Sequence, residues 1–180
     1  MQNKVWFTYK ARIQAHHRLE WLNMHSQLLL VWYAILGAVL SVVVIRYPAL
    51  FGKNTDILSA VLSIALLGVS LSVANRDFRG RAMEMRKNYL ALQKLYDLMK
   101  FKSSGEVNET DVIKYHELLN EVENHSDMDD KIFRVKHAAE LNTRKPSDRE
   151  KRQVYTFLIM NNIFLLFSYL APFILAWCLL

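Results

Sequence analysis

A chain of 180 residues, 52% of them apolar and one of them cysteine, has room for one membrane module and a small soluble element, but not for a separate enzyme domain. The lone Cys178 excludes an internal disulfide and a cysteine-rich zinc site. The net charge of +6 gathers beside apolar segments, where topology and anionic lipid account for it, so direct binding of nucleic acid is not indicated.

Residues 1–27 read as a mildly amphipathic helix, with Val5, Trp6, Tyr9, Ile13 and Trp21 set among basic residues and histidines. Tryptophan and tyrosine beside lysine and arginine suit the headgroup region, which predicts a cytosolic or interfacial helix leading into a span. His16, His17 and His25 raise a metal reading. Adjacent helical residues point ~100° apart, and no carboxylate or cysteine is taken to join them at ligand spacing. The expectation is surface histidines, with no metal and no cofactor. A polar segment precedes the first apolar run, and no cleavage site follows a short apolar core, so no cleavable signal is expected.

Two uncharged apolar runs follow, 28–45 and 57–74, separated by a short loop. Each reaches roughly 27 Å as a helix at ~1.5 Å per residue, close to the ~30 Å core of a bilayer. They predict a transmembrane hairpin over 28–74. Lys4, Lys10, Arg12 and Arg18 lie before it, and Arg76, Arg79, Arg81, Arg86 and Lys87 after it, whereas the loop holds only Arg46 and Lys53 against Asp56. Positive segments stay inside, so the N terminus and residues 75–153 are expected in the cytoplasm of a multi-pass inner-membrane protein.

The second span is expected to continue without a break into a cytosolic helix. Phe78, Ala82, Met85, Tyr89, Leu92, Tyr96 and Met99 recur at steps of four and three, a heptad seam that packs on another helix of this chain or of a neighbouring subunit. They are the candidate oligomer seam, and Gly80 inside it marks either a hinge or a close packing contact. Gly105 is a candidate stop for this helix. Asn108 or Thr110 then caps a second helix ending near Asn124, with Val112, Tyr115, Leu119 and Val122 on one face. The acids 127, 129 and 130 lack the pattern of a calcium loop and read as an N-terminal cap, with Asp129 starting a third helix over 131–142. Ser147 and Glu150 form a capping box that opens the last helix.

Residues 154–180 form a C-terminal hydrophobic helix, expected as a third span although Asn161, Asn162, Ser168 and Pro172 interrupt it. Asparagine amides in hydrocarbon need partners, so they point into a bundle or a wet cavity. The fold class is therefore all-α: an integral membrane helical protein with a transmembrane hairpin, cytosolic helices over 75–153 and a third C-terminal span.

No Walker loop, G-x-S-x-G, H-E-x-x-H or dinucleotide fingerprint is present, and His116-Glu117 stands alone on a surface helix, so the chain is not read as an enzyme. What remains is the polar content of the spans. Asp56, Ser59, Ser63 and Ser70 fall within ~60° on a helical wheel at 100° per residue. Asn161 and Ser168 share a face of the last helix. These six are the candidate pore-lining residues; the competing reading is helix packing, in which small serines let helices approach and bond across.

The run Trp6-Phe7-Thr8-Tyr9-Lys10-Ala11-Arg12, the tight hairpin, and Asn75-Arg76-Asp77-Phe78-Arg79-Gly80-Arg81-Ala82 leading into Asn88-Tyr89 resemble the SLATT family, bacterial membrane effectors with a two-span hairpin and a helical element. The resemblance covers roughly 5–97 well and the rest more loosely, and is greatest to the branch found beside reverse transcriptases. It implies an antiphage effector that homo-oligomerises in the lipid bilayer, forms a pore or disrupts the membrane, and kills or arrests the cell. A retron reverse transcriptase or a cyclic-oligonucleotide synthase is the implied partner system. A non-conducting adaptor that anchors a cytosolic enzyme is the alternative. The resemblance assigns no catalytic or ligand-binding residue.

Overall fold

The computed structural model describes residues 1–48, 52, 55–101 and 108–179, with the side chains of 56, 58, 175, 176, 178 and 179 outside the description. Lys53, Asn54, Gly105 and the side chains of Asp56 and Cys178 therefore lie outside the described residues. Among the described residues there are six helices and no strand: α1 (Gln2–Arg46), α2 (Thr55–Asn75), α3 (Phe78–Phe101), α4 (Glu109–Asn120), α5 (Asp127–Lys136) and α6 (Asp148–Leu179). The fold is all-α, and three of its helical stretches are long and apolar enough to cross a membrane. The chain divides into two compact units, Met1–Leu22 with Phe78–Phe157, and Asn23–Asp77 with Leu158–Leu180.

The first unit is a helical bundle. On α1 the buried positions Val5, Tyr9, Arg12, His16 and Leu19 recur at steps of four and three, the spacing that keeps one face of a helix against a partner. Val5 and Tyr9 pack with Leu92 and Leu95 of α3 and with Tyr115 and Leu118 of α4. Ala15 and Leu19 pack with Ala82 and Met85. Phe7 packs with Phe133 and Leu141, and Trp6 meets Phe133 edge-on at 5.5 Å between ring centres. The arm expected at the headgroups is thus a core helix of the bundle. Each fully buried aliphatic side chain contributes roughly 1.5–3 kcal/mol, more than an interfacial position of the same residue supplies.

The heptad seam of α3 is filled from within the chain. Ala82, Met85 and Leu92 are buried, and Phe78, Tyr89, Tyr96 and Met99 pack against the same clusters. The covering surface is α1 and α4, so the partner helix that the seam demands is already supplied.

The junction between α2 and α3 corrects the expected unbroken helix. Arg76 N–H reaches Val73 O at 3.1 Å and Asp77 N–H reaches Ala74 O at 3.3 Å, tightening the last turn of α2. Asp77 then takes a left-handed backbone (φ 40°) before Phe78 starts α3. Aspartate tolerates that region better than most residues. The break falls ahead of Gly80, which lies inside α3.

Local caps set the shorter helices. Asn108 caps α4, its side chain accepting from Thr110 N. The cap of α5 is Ser126 rather than Asp129. The Ser126 hydroxyl accepts from Asp129 N while the Asp129 carboxylate accepts from Ser126 N, a capping box that begins the helix at Asp127 and not at 131. The same device opens α6: Ser147 N–H donates to Glu150 at 2.8 Å and Glu150 N–H donates to Ser147 Oγ at 3.3 Å.

The second unit is apolar and open. Val31, Ile35, Val39 and Val42 on α1, Ile57, Val61, Ile64 and Leu71 on α2, and Ile163, Phe164 and Phe167 on α6 all expose large apolar side chains. None of the most apolar window of any spanning candidate is buried within the chain. A soluble monomer does not present faces of this extent to water; hydrocarbon is their natural solvent.

Within this unit α6 is tied to α1 by its proline. Pro172 has no N–H, so the carbonyl of Ser168, four residues earlier, loses its helical donor. The Tyr33 hydroxyl donates to that carbonyl at 2.7 Å, and the Trp32 indole N–H donates to the next one, Tyr169 O, at 3.3 Å. Trp32 also lies beside Phe173, 6.0 Å between ring centres. An unsatisfied carbonyl in hydrocarbon costs several kcal/mol, so this pair of donors makes a proline-bearing helix tolerable in a membrane.

Candidate functional site

Two sets of polar groups stand out against the apolar background, one at the centre of the bundle and one along the apolar helices. The first is built on Arg12, whose side chain is fully buried. Its Nη1 donates to Asn88 Oδ1 and, at 3.0 Å, to Leu118 O; its Nη2 donates to Leu119 O at 3.2 Å. Leu118 and Leu119 lie in the last turn of α4, where helix carbonyls have no intrahelical donor and the helix dipole is negative. Asn88 extends the network, its Nδ2 donating to Leu118 O at 2.7 Å and to Glu121 Oε2 at 3.2 Å. The guanidinium thus finds its compensating charge in a helix terminus and, through Asn88, in Glu121.

Burial pulls the Arg12 pKa below its ordinary value, and the Tyr115 and Glu121 side chains oppose that pull. His125 is also held below the usual histidine range, first by burial and then by the Arg12 charge, which keeps a second cation away from the same core. Beside this centre the Tyr115 hydroxyl and Thr8 Oγ1 lie 2.8 Å apart, and the Thr8 hydroxyl donates to Lys4 O.

Two further arginines fix the outer helices of the bundle through ion pairs. Arg18 forks onto the fully buried Asp129 at 2.9 and 3.1 Å. Arg134 bridges Asp130 at 2.9 Å and Glu150 at 2.5 and 3.1 Å, joining α5 to the start of α6. The Arg134 guanidinium, aided by Ser147 N–H, holds the Glu150 carboxyl down at about 2.

Sequence reasoning placed Arg12 among topology-setting charges and gave Asn88 no role beyond its part in the family resemblance. The available signal was positional: Arg12 occupies the core phase of the 5, 9, 12, 16, 19 series, and a cation there needs a buried partner. The expected isolation of the histidines does not hold either. Glu20, one turn on, lies 3.3 Å from His16 Nε2 and 3.6 Å from His17 Nδ1.

The second set holds the candidate pore-lining residues. Ser59 and Ser70 of α2 are half-buried and Ser63 is exposed, its hydroxyl donating back to Ser59 O at 2.9 Å. Asn161 is half-buried on α6. Ser168 is engaged in packing: its hydroxyl returns to Phe164 O at 2.8 Å, and its carbonyl accepts from Tyr33. The stripe on α2 and the pair on α6 therefore differ, since Ser168 sits at the α1–α6 contact whereas Ser63 faces outward from the chain.

Compared with known proteins, residues 1–180 match a family model described as SMODS and SLOG-associating 2TM effector domain family 5, SLATT_5. No curated protein and no solved structure matches the chain.

Proposed function

The chain belongs to the SLATT family of two-transmembrane effector domains, and from that premise we propose that it is the membrane effector of an antiphage defence system. On this reading it sits in the inner membrane with its N terminus and bundle in the cytoplasm. It homo-oligomerises through its apolar unit, and opens a leak that kills or arrests the cell when a retron reverse transcriptase or a cyclic-oligonucleotide synthase system signals.

The observation that carries the proposal is the contrast between the units: a bundle with a buried core of its own, and apolar helices whose most apolar windows hold no buried residue. The Ser59–Ser63–Ser70 stripe on α2, exposed at Ser63 and half-buried at Ser59 and Ser70, with Asp56 toward the loop end, supports a water path shared among several copies. One copy offers a single such stripe and cannot enclose a path alone. The engagement of Ser168 with α1 supports excluding it from that lining. The family description gives two spans, and the tie between α6 and α1 supports reading α6 as a third helix packed on the first.

The test is conduction. Purified chain in planar bilayers under a salt gradient is expected to pass current. Ser63→Asp should still insert and change ion selectivity, and Asp56→Lys should turn the leak toward anions through a ring of like charges. Leu66→Asp, at a half-buried position on another face of α2, should impair insertion, since a charge kept from water at the bilayer centre costs ~2.5–3.5 kcal/mol on insertion scales. Absence of current in both the isolated and the triggered chain would replace this reading with that of a non-conducting adaptor.

A further inference from the structure

We propose that His16, His17 and Glu20 form a binding site for one divalent transition-metal ion of the zinc class. The three side chains converge on the surface of α1 within the bundle. His16 Nε2 lies 3.3 Å, and His17 Nδ1 3.6 Å, from the same oxygen, Glu20 Oε2. All three ligand atoms lie within 4.8 Å of one another. Tetrahedral zinc with bonds of ~2.0–2.2 Å to nitrogen and oxygen separates its ligand atoms by roughly 3.3–3.6 Å. The two measured separations fall in that interval. On a helix at 100° per residue Glu20 lies in azimuth between its two partners, which is why one carboxylate meets both rings.

A second, independent contact prepares the site. His16 Nδ1 sits 2.9 Å from the carbonyl of Ala82 on α3. A carbonyl only accepts, so that nitrogen carries a proton, and in the neutral ring this leaves the lone pair on Nε2, the nitrogen that faces Glu20. Metal-bound histidines are typically held by such a bond on the other ring nitrogen, which fixes tautomer and ring orientation. His16 is buried, so the ring has little freedom to leave this pose. His17 and Glu20 are 62% and 55% exposed, which leaves an entry path and room for water at the remaining coordination positions.

Two imidazoles with one carboxylate favour zinc, copper or nickel over calcium and magnesium, which prefer all-oxygen shells. The competing account is a pair of one-turn His–Glu ion contacts on a helix. It makes the opposite demand on protons. An ion pair needs charged imidazole, whereas a metal needs neutral imidazole and competes with protons for the same nitrogens. Metal held here also links α1 to α3 through the Ala82 carbonyl, so binding must stabilise the bundle.

The experiment uses the tag-free full chain in detergent, stripped of metal, titrated with Co2+ and then Zn2+. One Co2+ per chain is expected, with visible absorption that Zn2+ abolishes, and Zn2+ should raise the thermal midpoint of the bundle. His17→Ala and Glu20→Gln, both at exposed positions, should retain the helical signal of the chain and weaken zinc binding at least tenfold each. Even loss of an outer-shell partner costs ~10–100-fold. His125→Ala, outside the site, should leave it unchanged. Zinc binding of equal strength in the His17→Ala, Glu20→Gln double variant, or no zinc-dependent rise of the midpoint in the unaltered chain, would overturn the proposal.

Discussion

Arg12 in the bundle and Tyr33 in the apolar unit face the same problem, a helix carbonyl without its donor, and α1 answers it with different chemistry. At the end of α4 the donor is a guanidinium, serving Leu118 and Leu119. Ahead of Pro172 the donors are a phenol and an indole, serving Ser168 and Tyr169. A cation is acceptable in the bundle because a helix terminus and, through Asn88, Glu121 compensate it. In hydrocarbon it would cost ~2.5–3.5 kcal/mol by insertion scales, so neutral donors take the task. The environment selects the donor, and a single helix carries both solutions.

The two units also differ in who covers their apolar faces, and that difference is the easiest to break. Leu92 is fully buried between α1 and α4, whereas Leu98 on the same helix is exposed. Leu92→Asp should destabilise the bundle by more than ~4 kcal/mol, while Leu98→Asp should stay within ~0.5 kcal/mol. Denaturation followed by helix content in detergent reads both. If Leu92→Asp left the bundle folded and only dissolved an oligomer, the seam would belong to a neighbouring subunit after all.

Next in size is the guanidinium itself. Arg12→Ala strips the donor from Leu119 O and from Asn88 Oδ1, leaves Leu118 O with Asn88 Nδ2 alone, and should cost roughly 2–4 kcal/mol by the usual penalty of orphaned buried groups. Arg12→Lys should recover only part of this, because one ammonium cannot reproduce the planar fork that reaches three acceptors. Full rescue by lysine would mean that charge at the helix end, and not geometry, is what α4 requires.

These positions show where sequence reading succeeds and where it stops. The two apolar helices of the hairpin follow from uninterrupted apolar runs, and the caps at Asn108 and Ser147 from patterns contained within a few residues. The Ser126 cap is equally local, a Ser-x-x-Asp box, but the run of acids behind it carries a competing signal for the helix start. The partnership of Arg12 with Asn88 joins residues 76 apart, and the closing of the α3 seam by α1 joins segments just as distant. Periodicity says that a face must be covered but does not name the cover. The turn at Asp77 was hidden for another reason: nothing but a tolerant aspartate marks it, and the helical pattern runs on past it.

A smaller and pH-dependent effect separates the ion pairs of the bundle from the uncharged contacts of the apolar unit. Glu150 is lowered from 4.5 to about 2 by Arg134 and the Ser147 N–H. A carboxylate with a depressed folded pKa contributes stability that is complete above its unfolded value, and that stability is lost as pH falls toward the folded one. Acid titration between pH 4.5 and 2 should therefore loosen the α5–α6 junction. Glu150→Gln should be less stable at neutral pH and flatter across that window. An acid profile of Glu150→Gln as steep as that of the unaltered chain would show that this junction does not carry the acid sensitivity of the bundle.

The smallest expected effect is also the sharpest, because it isolates a single backbone group inside the apolar unit. Tyr33→Phe removes the hydroxyl that serves Ser168 O, and side-chain hydrogen bonds between membrane helices average ~0.6 kcal/mol with a maximum near ~1.7. The upper end is expected here, since the carbonyl has no helical donor to fall back on. Pro172→Ala supplies that donor by restoring a backbone N–H four residues on. In the Pro172→Ala background the same Tyr33→Phe change should cost close to nothing, so the double-mutant cycle should show a coupling about as large as the single effect. Unfolding in mixed micelles measures all four corners. A cost for Tyr33→Phe that is the same with and without the proline would show that the hydroxyl serves packing against α6 generally, and the parallel with Arg12 at the end of α4 would fail at its membrane end.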